Sequence, residues 1–433
     1  MPKISQLKTV HEVLQAHEMH ADRMRPIDMS ACWNTLAKQV KRPRERSWIR
    51  GELQSRPVLQ PLLDTTLKML RRSDARVIAN TAHGLATVVD RTGLETGAAL
   101  WTMVSNEAVG RLGEFNSQNL SNTAWAFARV GHASPALFDG VARAAVGRLG
   151  EFNAQGLSNT AWAFATVGHA SPVLFDGVAR AAVGRLGEFN AQHLSNTAWA
   201  LAAADIPSAC LFGDERFLER CAAVDLDTEA LCQLHQWQLW LEERGESYPQ
   251  LPPPLARRCR EAFVAEEGRP SKLQKQVTRA LAALGLEPRE EVQTPQGYSL
   301  DAVVRIDGHD IAVEVDGPFH FLSGMHTQTP SGATMLKRRQ LAASGWPLLP
   351  VPYWEWNKID RDEVAQGEYL INGLRAAVEG HGVKACARAA GAPVAGPLSW
   401  NDFQASVKGQ GLPREEVRSR YREQRARGMA RGG

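Results

Sequence analysis

In the middle of the chain, apolar residues recur three and four positions apart, the spacing of a single helix face. From Gln118 to Val130, the residues Leu120, Thr123, Ala124, Phe127 and Val130 fall on one stripe, which predicts an amphipathic helix. Ser134-Pro135 and Ser171-Pro172 then supply an N-cap and a proline at the first helical position, ahead of Leu-Phe-Asp-Gly-Val-Ala-Arg-Ala-Ala-Val. The predicted unit is a helix, a Gly-His turn and a second helix. It repeats: Gly110-Arg-Leu-Gly-Glu-Phe-Asn returns at Gly147 and Gly184, a shift of 37 residues (147 − 110). Ser121-Asn-Thr-Ala-Trp-Ala-Phe returns at Ser158 and, ending in Leu201, at Ser195.

Weaker copies extend the array. Leu120, Leu157, Leu194 and Leu231 keep the 37-residue step, and Ala79-Asn-Thr-Ala-His-Gly-Leu-Ala and Ala31-Cys-Trp-Asn-Thr-Leu-Ala stand as earlier units at looser spacing. A fixed period of this length predicts an α-solenoid of helix-pair repeats, period 37, over residues 27–250, behind an N-terminal segment 1–26. Atypical end units fit, because the stack must end in water.

After Tyr248-Pro-Gln-Leu-Pro-Pro-Pro254 the rhythm stops, which sets a linker at 251–270. Ser271 caps a predicted helix, Lys272 to Leu284. The pattern then alternates: Tyr298 to Ile306, the turn Asp307-Gly308, and His309 to Asp316 predict a hairpin. A two-residue loop there sets Ile306 opposite His309 and Asp301 opposite Glu314. That register gathers Ala302, Val304, Ile306, Ile311, Val313 and Val315 on one face, and Asp301, Asp310, Glu314 and Asp316 on the other. A helix from Gly332 to Ser344 and a buried strand from Pro347 to Val351 complete a small α/β layer with a mixed sheet. Opposed carboxylates repel unless a cation binds or one keeps a proton, so Asp301 and Glu314 are candidate ligands for Mg²⁺ or Mn²⁺.

Composition narrows the classes. The chain has 433 residues, 44% hydrophobic and 22% charged, enough for two or three domains' worth of core. No apolar run approaches the roughly 18 residues of a membrane span, so no membrane partner is expected. Cys32, Cys210, Cys221, Cys232, Cys259 and Cys386 form no C-x-x-C pair, which argues for a reducing, intracellular setting and a soluble protein. Near the N-terminus, acids interrupt the arginines and no apolar signal core appears, so a secretory leader is not expected and a transit peptide gains little support. A net charge of +3 announces no nucleic-acid partner by itself. The last 23 residues carry seven Arg against three Glu, part of a predicted basic tail at 379–433.

Local pattern supplies the candidates. On the first helix of each unit, Asn122, Trp125 and Arg129 lie opposite the Leu120/Phe127 stripe, as do Asn159 with Trp162 and Asn196 with Trp199. An Asn amide can read a base edge and a Trp can stack on a base. Arg111, Arg148 and Arg185 recur once per unit as phosphate contacts would. The same residues suit a purely structural part: a Trp at fixed register packs between units, and a repeated Asn caps or bridges turns. The slots Asn119/Gly156/His193 and Arg129/Thr166/Ala203 differ between copies and are natural selectors if units read bases one by one.

The Leu-Ser-Asn-Thr-Ala-Trp-Ala-Phe-Ala core resembles the octotricopeptide-type repeats of organellar RNA-binding proteins. Ile311-Ala-Val-Glu-Val-Asp-Gly-Pro-Phe-His-Phe321, Lys337-Arg-Arg-Gln-Leu341, Gly345-Trp346 and Val351-Pro-Tyr-Trp-Glu-Trp356 resemble the RAP domain, an RNA-binding domain abundant in Apicomplexans, over 271–378. That domain is similar to the PD-(D/E)XK, restriction-endonuclease-like nuclease fold. The resemblance implies single-stranded RNA as partner, a setting in the mitochondrion or plastid, and a part in organellar RNA processing or stability. It also implies that Asp301 falls on the nuclease's metal-binding Asp and Glu314 on its acidic strand residue. The position usually held by Lys is Asp316 here, which leaves Lys337 to replace it, His320 to serve as acid or base, and Arg338 to meet a phosphate. Three expectations stand: an RNA-binding factor needing no cofactor; a metal-dependent endoribonuclease built on Asp301, Glu314, Asp316, His320 and Lys337; and a solenoid scaffold for protein partners.

Overall fold

The computed structural model describes residues 3–245, 248–265, 270–306, 308–323, 328–359 and 362–388. Asp307 of the predicted turn and nearly all of the basic tail lie outside the described residues. The chain divides into two compact units: residues up to Cys259 together with Phe321–Leu336, and Arg260–His320 together with residues from Lys337 onward.

The first unit is helical. Its helices are α1 (Val10–His20), α2 (Pro26–Gln39), α3 (Pro43–Ser55), α4 (Gln60–Leu70), α5 (Ala75–Thr92), α6 (Ala98–Val109), α7 (Ser117–Arg129) and α8 (Pro135–Val146). There follow α9 (Ala154–Thr166), α10 (Pro172–Val183), α11 (Ala191–Ala203), α12 (Ala209–Phe212), α13 (Glu215–Ala223), α14 (Thr228–Arg244) and α15 (Pro253–Val264), whose residues from Arg260 on belong to the second unit. They pack in two rows. The first helix of each pair meets the first helix of the next, in the order α2, α5, α7, α9, α11, α14. The second row runs α4, α6, α8, α10, α12. Leu120, Phe127, Leu157, Phe164, Leu194 and Leu201 are fully buried, so the predicted stripe is the packed face.

The repeated Gly-Arg-Leu-Gly-Glu-Phe-Asn segment has a use its sequence did not advertise. Its Leu-Gly-Glu forms a short 3₁₀ turn in each copy, and its Asn caps the next helix: Asn116, Asn153 and Asn190 accept from the backbone N–H three residues on. The Gly of Phe-Asp-Gly-Val marks a close approach. A Cβ on Gly140 or Gly177 would stand 2.3 or 2.4 Å from Leu112 or Leu149 of that turn. After α7 and α9, Gly131 and Gly168 take positive φ, and the following His132 and His169 donate N–H back to Phe127 and Phe164. The chain reverses there at little cost because glycine has no Cβ to clash. The first of these turns also holds Ser323, whose N–H donates to the Gly131 carbonyl at 2.6 Å while its own carbonyl accepts from Ala133 at 2.8 Å.

The second unit holds α16 (Lys272–Ala283), β1 (Arg289–Gln293), β2 (Ser299–Ile306), β3 (His309–Asp316), α17 (Gly332–Ala343), β4 (Leu348–Pro352), α18 (Tyr353–Lys358) and α19 (Glu363–Arg388), the early turns of α17 belonging to the first unit. The sheet order is β1-β2-β3-β4, antiparallel except for the parallel β3–β4 pair. Ala302 faces Val313 and Ile306 faces His309, the register that the hydrophobic alternation predicts. Ala302, Val304, Ile306, Ile311, Val313 and Val315 form one core with Val277 and Leu281 of α16 and with Leu370 and Leu374 of α19. β1 was not foreseen. Arg-Glu-Glu-Val-Gln is largely exposed, and an edge strand with little apolar content has no alternation to reveal it.

Candidate functional site

Two groups of candidates sit in different units. In the first, the stripe opposite the packed face stays partly open: Asn122 and Trp125 on α7, and Asn159 and Trp162 on α9, are half-buried, and Arg129 is exposed. On α11 the same slots are closed, with Asn196 and Trp199 only 6% and 5% exposed. Trp199 donates its indole N–H to Gln236 of α14 at 3.0 Å. At the other end of the row, the His83 ring of α5 lies 4.9 Å from Trp125. His83 and Gln236 thus occupy the tryptophan slot one helix before and one after the tryptophans. The tryptophan pattern marks neither: His83 sits in a unit of looser spacing, and Gln236, though it keeps the 37-residue step, is a different residue type. Burial, and secondarily the charge of Lys41, lowers the His83 pKa below its usual value, so the ring is neutral near pH 7.

The recurring arginines are engaged within the protein. Arg148 donates to the carbonyl of Phe115 at 2.9 Å, Arg185 to that of Phe152 at 2.6 Å, and Arg111 to that of Arg71 at 3.1 Å. Each guanidinium therefore ties its own unit to the one before. Arg220 does the same in the next unit, donating to Phe189 at 3.1 Å. Arg129 differs: it pairs with Asp90 at 3.0 Å and remains on the surface. The first variable slot is engaged as well. Asn119 and His193 accept from the backbone N–H of Asn116 and Asn190 and complete capping boxes.

The second group lies on the sheet face away from the core. Continuing the β2–β3 register sets Asp301 across from Glu314, and continuing that of β1–β2 sets Glu291 across from Asp301. Glu291 is a further acid that the sequence reading did not single out, since its strand was not seen. Each acid has a protein partner. Asp301 Oδ2 accepts from the Val315 N–H at 2.6 Å, standing in for a ladder carbonyl at the strand end. Glu291 accepts from Gln274 at 2.8 Å and from Ser299 at 2.9 Å. α17 lies over this face and supplies the cations. Lys337 Nζ donates to Glu314 Oε2 at 2.5 Å and to the Ser299 carbonyl at 3.0 Å, and Arg338 pairs with Asp316. His320 Nδ1 meets the other oxygen of Asp316 at 3.0 Å. Glu314 and Asp316 are 3% and 2% exposed.

Burial sets the electrostatics, and the partners correct it. Burial raises the Glu314 carboxyl to about 7, against the pull of Lys337. Asp301 is also raised, chiefly by burial, with the Val315 hydrogen bond acting the other way. For Asp316 burial again pushes upward, but the His320 and Arg338 interactions outweigh it and hold the carboxyl below its ordinary value. Among the described residues, no three His, Cys, Asp or Glu side chains come together as a metal-binding group. One acceptor is left over: Glu314 Oε1 is buried without a partner.

The strand, turn and helix that carry Glu314, Asp316, His320, Lys337 and Arg338 fall in one segment, bounded by β3 and α19. Residues 313–372 match the RAP domain. The RAP match takes in all five of these side chains and leaves out Asp301. Residues 96–224, which carry the three strong helical repeats, match the family of the RNA-editing substrate-binding complex 6 protein. A RAP domain-containing protein, chloroplastic, of Oryza sativa subsp. japonica is 42% identical over 100 residues. That stretch is 23% of this chain and 15% of the rice protein. No helix among the described residues is long and apolar enough to cross a membrane.

Proposed function

We propose that this chain is an RNA-binding protein acting in organellar RNA processing or stability. In this reading the helix pairs are an α-solenoid of period 37 that holds single-stranded RNA, and the RAP domain, on a nuclease-like fold, joins in binding the transcript. The observation that carries the proposal is the pairing of two matches in one chain: a RAP-domain match follows helical repeats that match the family of the RNA-editing substrate-binding complex 6 protein. The half-open stripe of Asn122, Trp125, Asn159 and Trp162 supports it, because amides and indoles at helix spacing suit unpaired bases. The chloroplast in the rice protein's name supports a plastid setting, with the mitochondrion as the other organelle of this reading. The test is binding of purified full-length chain to unstructured RNA and to duplex RNA across a salt series. Preference for the single strand with a negative log–log slope supports the proposal. Indifference between the two, with binding to a protein partner instead, favours the scaffold.

A second reading keeps the acids as a metal-dependent endoribonuclease, and the unpartnered Oε1 of Glu314 beside Asp301 is what favours it. The donor set does not fit a divalent ion as arranged: Lys337 holds one Glu314 oxygen and the Val315 N–H holds one Asp301 oxygen. Arg338 and His320 take both oxygens of Asp316. Binding without cutting is therefore the function this geometry favours.

A further inference from the structure

Phe319 is 98% exposed, the highest exposure of any large hydrophobic side chain among the described residues. It does not ride on a loose loop. Pro318, Phe319 and His320 form a 3₁₀ turn closed by the His320 N–H donating to the Gly317 carbonyl at 3.1 Å. The turn is fastened a second time through its last side chain, because His320 Nδ1 meets Asp316, and Asp316 is buried and held by Arg338. The backbone under Phe319 is therefore held, and its ring projects into solvent next in sequence to an imidazole that is 45% exposed, whose carboxylate partner Asp316 also holds the Arg338 guanidinium.

We propose that Phe319 is a stacking platform for one unpaired nucleobase of a bound RNA strand, with His320 and Arg338 facing the neighbouring phosphate. The proposal rests on the RNA-binding reading above and names one contact within it. Charge decides the occupant. A protein hot spot would surround the ring with apolar neighbours that exclude water. Here the ring's neighbours along the turn are a proline and a histidine, and the carboxylate that His320 meets also holds the Arg338 guanidinium; an exposed aromatic with a cation close by is how single-stranded nucleic acids are held: the base on the ring, the phosphate on the cation. A backbone already ordered spares binding the cost of ordering the turn, so that only the ring's own rotamer freedom is lost on stacking.

The experiment compares full-length wild type with Phe319→Ala on two fluorescent probes, an unstructured oligouridylate and the same backbone lacking bases. Phe319→Ala should weaken binding of the oligouridylate by about 5- to 150-fold, the usual worth of one stacked base, and leave the abasic backbone unaffected. Phe319→Trp should bind the oligouridylate at least as well as wild type. Full exposure of the ring means that neither variant disturbs packing, and equal melting temperatures verify this. Equal affinity of Phe319→Ala and wild type for the oligouridylate would overturn the platform while leaving the RNA-binding reading intact. So would an equal loss on the abasic probe. Wild type that binds neither probe would overturn both, and a protein partner lost on Phe319→Ala with RNA binding unchanged would assign the ring to that partner.

Discussion

Lys337 Nζ stands 2.5 Å from Oε2 of Glu314, so the lysine of α17 neutralises from across the layer an acid that its own strand leaves buried. The Glu314 carboxyl, held at about 7, lies above its ordinary 4.5, and between those values the folded chain binds more protons than the unfolded one. This group's contribution to stability is therefore fully present below pH 4.5 and is lost as pH rises through 7. Lys337→Met removes the main force that lowers that pKa. Chemical denaturation should show a loss of about 3–5 kcal/mol at pH 8, the cost of stranding one partner of a buried pair, shrinking toward pH 5 as Glu314 takes a proton. A loss that does not vary with pH would mean that Lys337 contributes packing alone.

The arginines should separate into two kinds. Arg185→Ala removes the bond to the Phe152 carbonyl and should lower stability by about 1–3 kcal/mol, with no change in the salt dependence of RNA binding. Arg129→Ala, on the surface, should leave stability almost unchanged and reduce the log–log salt slope by about 0.7, one phosphate's share for a single strand. Salt titrations of both variants, read beside their melting curves, check this; a reduced slope for Arg185→Ala would return that residue to the backbone of the RNA.

Equivalent tryptophans should likewise diverge. Trp199 is buried and bonded to Gln236, so Trp199→Ala should cost about 3–5 kcal/mol of stability. Trp162→Ala, half-buried on an open stripe, should weaken RNA binding by about 1–3 kcal/mol while the melting temperature falls much less. Isothermal titration with a single-stranded probe, paired with calorimetric melting, tests the contrast.

How much of this was legible beforehand depends on which signal each residue carries. Leu120 and Phe127 betray the packed stripe because a buried helix face must be apolar, and Ile306 opposite His309 follows from alternation about a two-residue turn. Arg148 could not be read in this way. A guanidinium that clamps the previous unit and one that meets a phosphate recur with the same period, and only the carbonyl of Phe115 at 2.9 Å tells them apart. Asn119 looked like a selector because it varies between copies, yet its side chain closes a helix cap, and the equivalent His193 closes one too. Glu291 was hidden by an edge strand whose polarity resembles a loop. The cations that meet Glu314 and Asp316, Lys337 and Arg338, come from α17, more than twenty residues on, where the basic run Lys337-Arg338-Arg339 gives no sign of which acid each cation meets.

Asp205 has φ of 56° at the position where the two preceding units have glycine, and Ile206 N–H still closes the turn on Leu201. Asp205→Gly would relieve the left-handed strain, but it would remove the carboxylate that accepts from Trp240 Nε1 at 2.8 Å and from Arg244 at 3.0 Å. Trp240 is fully buried, so stranding its N–H costs about 1–3 kcal/mol and outweighs the relief of about 1 kcal/mol. Urea denaturation should find Asp205→Gly less stable than wild type and Asp205→Asn close to it, since Asn tolerates the conformation and keeps an acceptor. A more stable glycine variant would show that strain dominates.

The acids make the last prediction. Because Lys337, Arg338, His320 and the Val315 N–H already hold oxygens of Glu314, Asp316 and Asp301, Mg²⁺ or Mn²⁺ should not raise the melting temperature of the wild type, and single-stranded RNA should stay intact with either ion present. Lys337→Met should behave differently. With the ammonium gone, both Glu314 oxygens lack a partner and no fixed cation opposes an ion between Glu314 and the facing Asp301, so an ion that binds only the folded state should raise the melting temperature of that variant by mass action. Adding Asp301→Asn to Lys337→Met should cancel the rise, because half of the donor pair is lost. The endoribonuclease reading requires the reverse pattern: cleavage by the wild type that depends on metal, disappears in both Asp301→Asn and Glu314→Gln, and leaves RNA affinity near its starting value. That outcome would mean that an ion and RNA bind with Lys337 in place or displaced from Glu314, and it would favour the endoribonuclease over the proposal of binding alone.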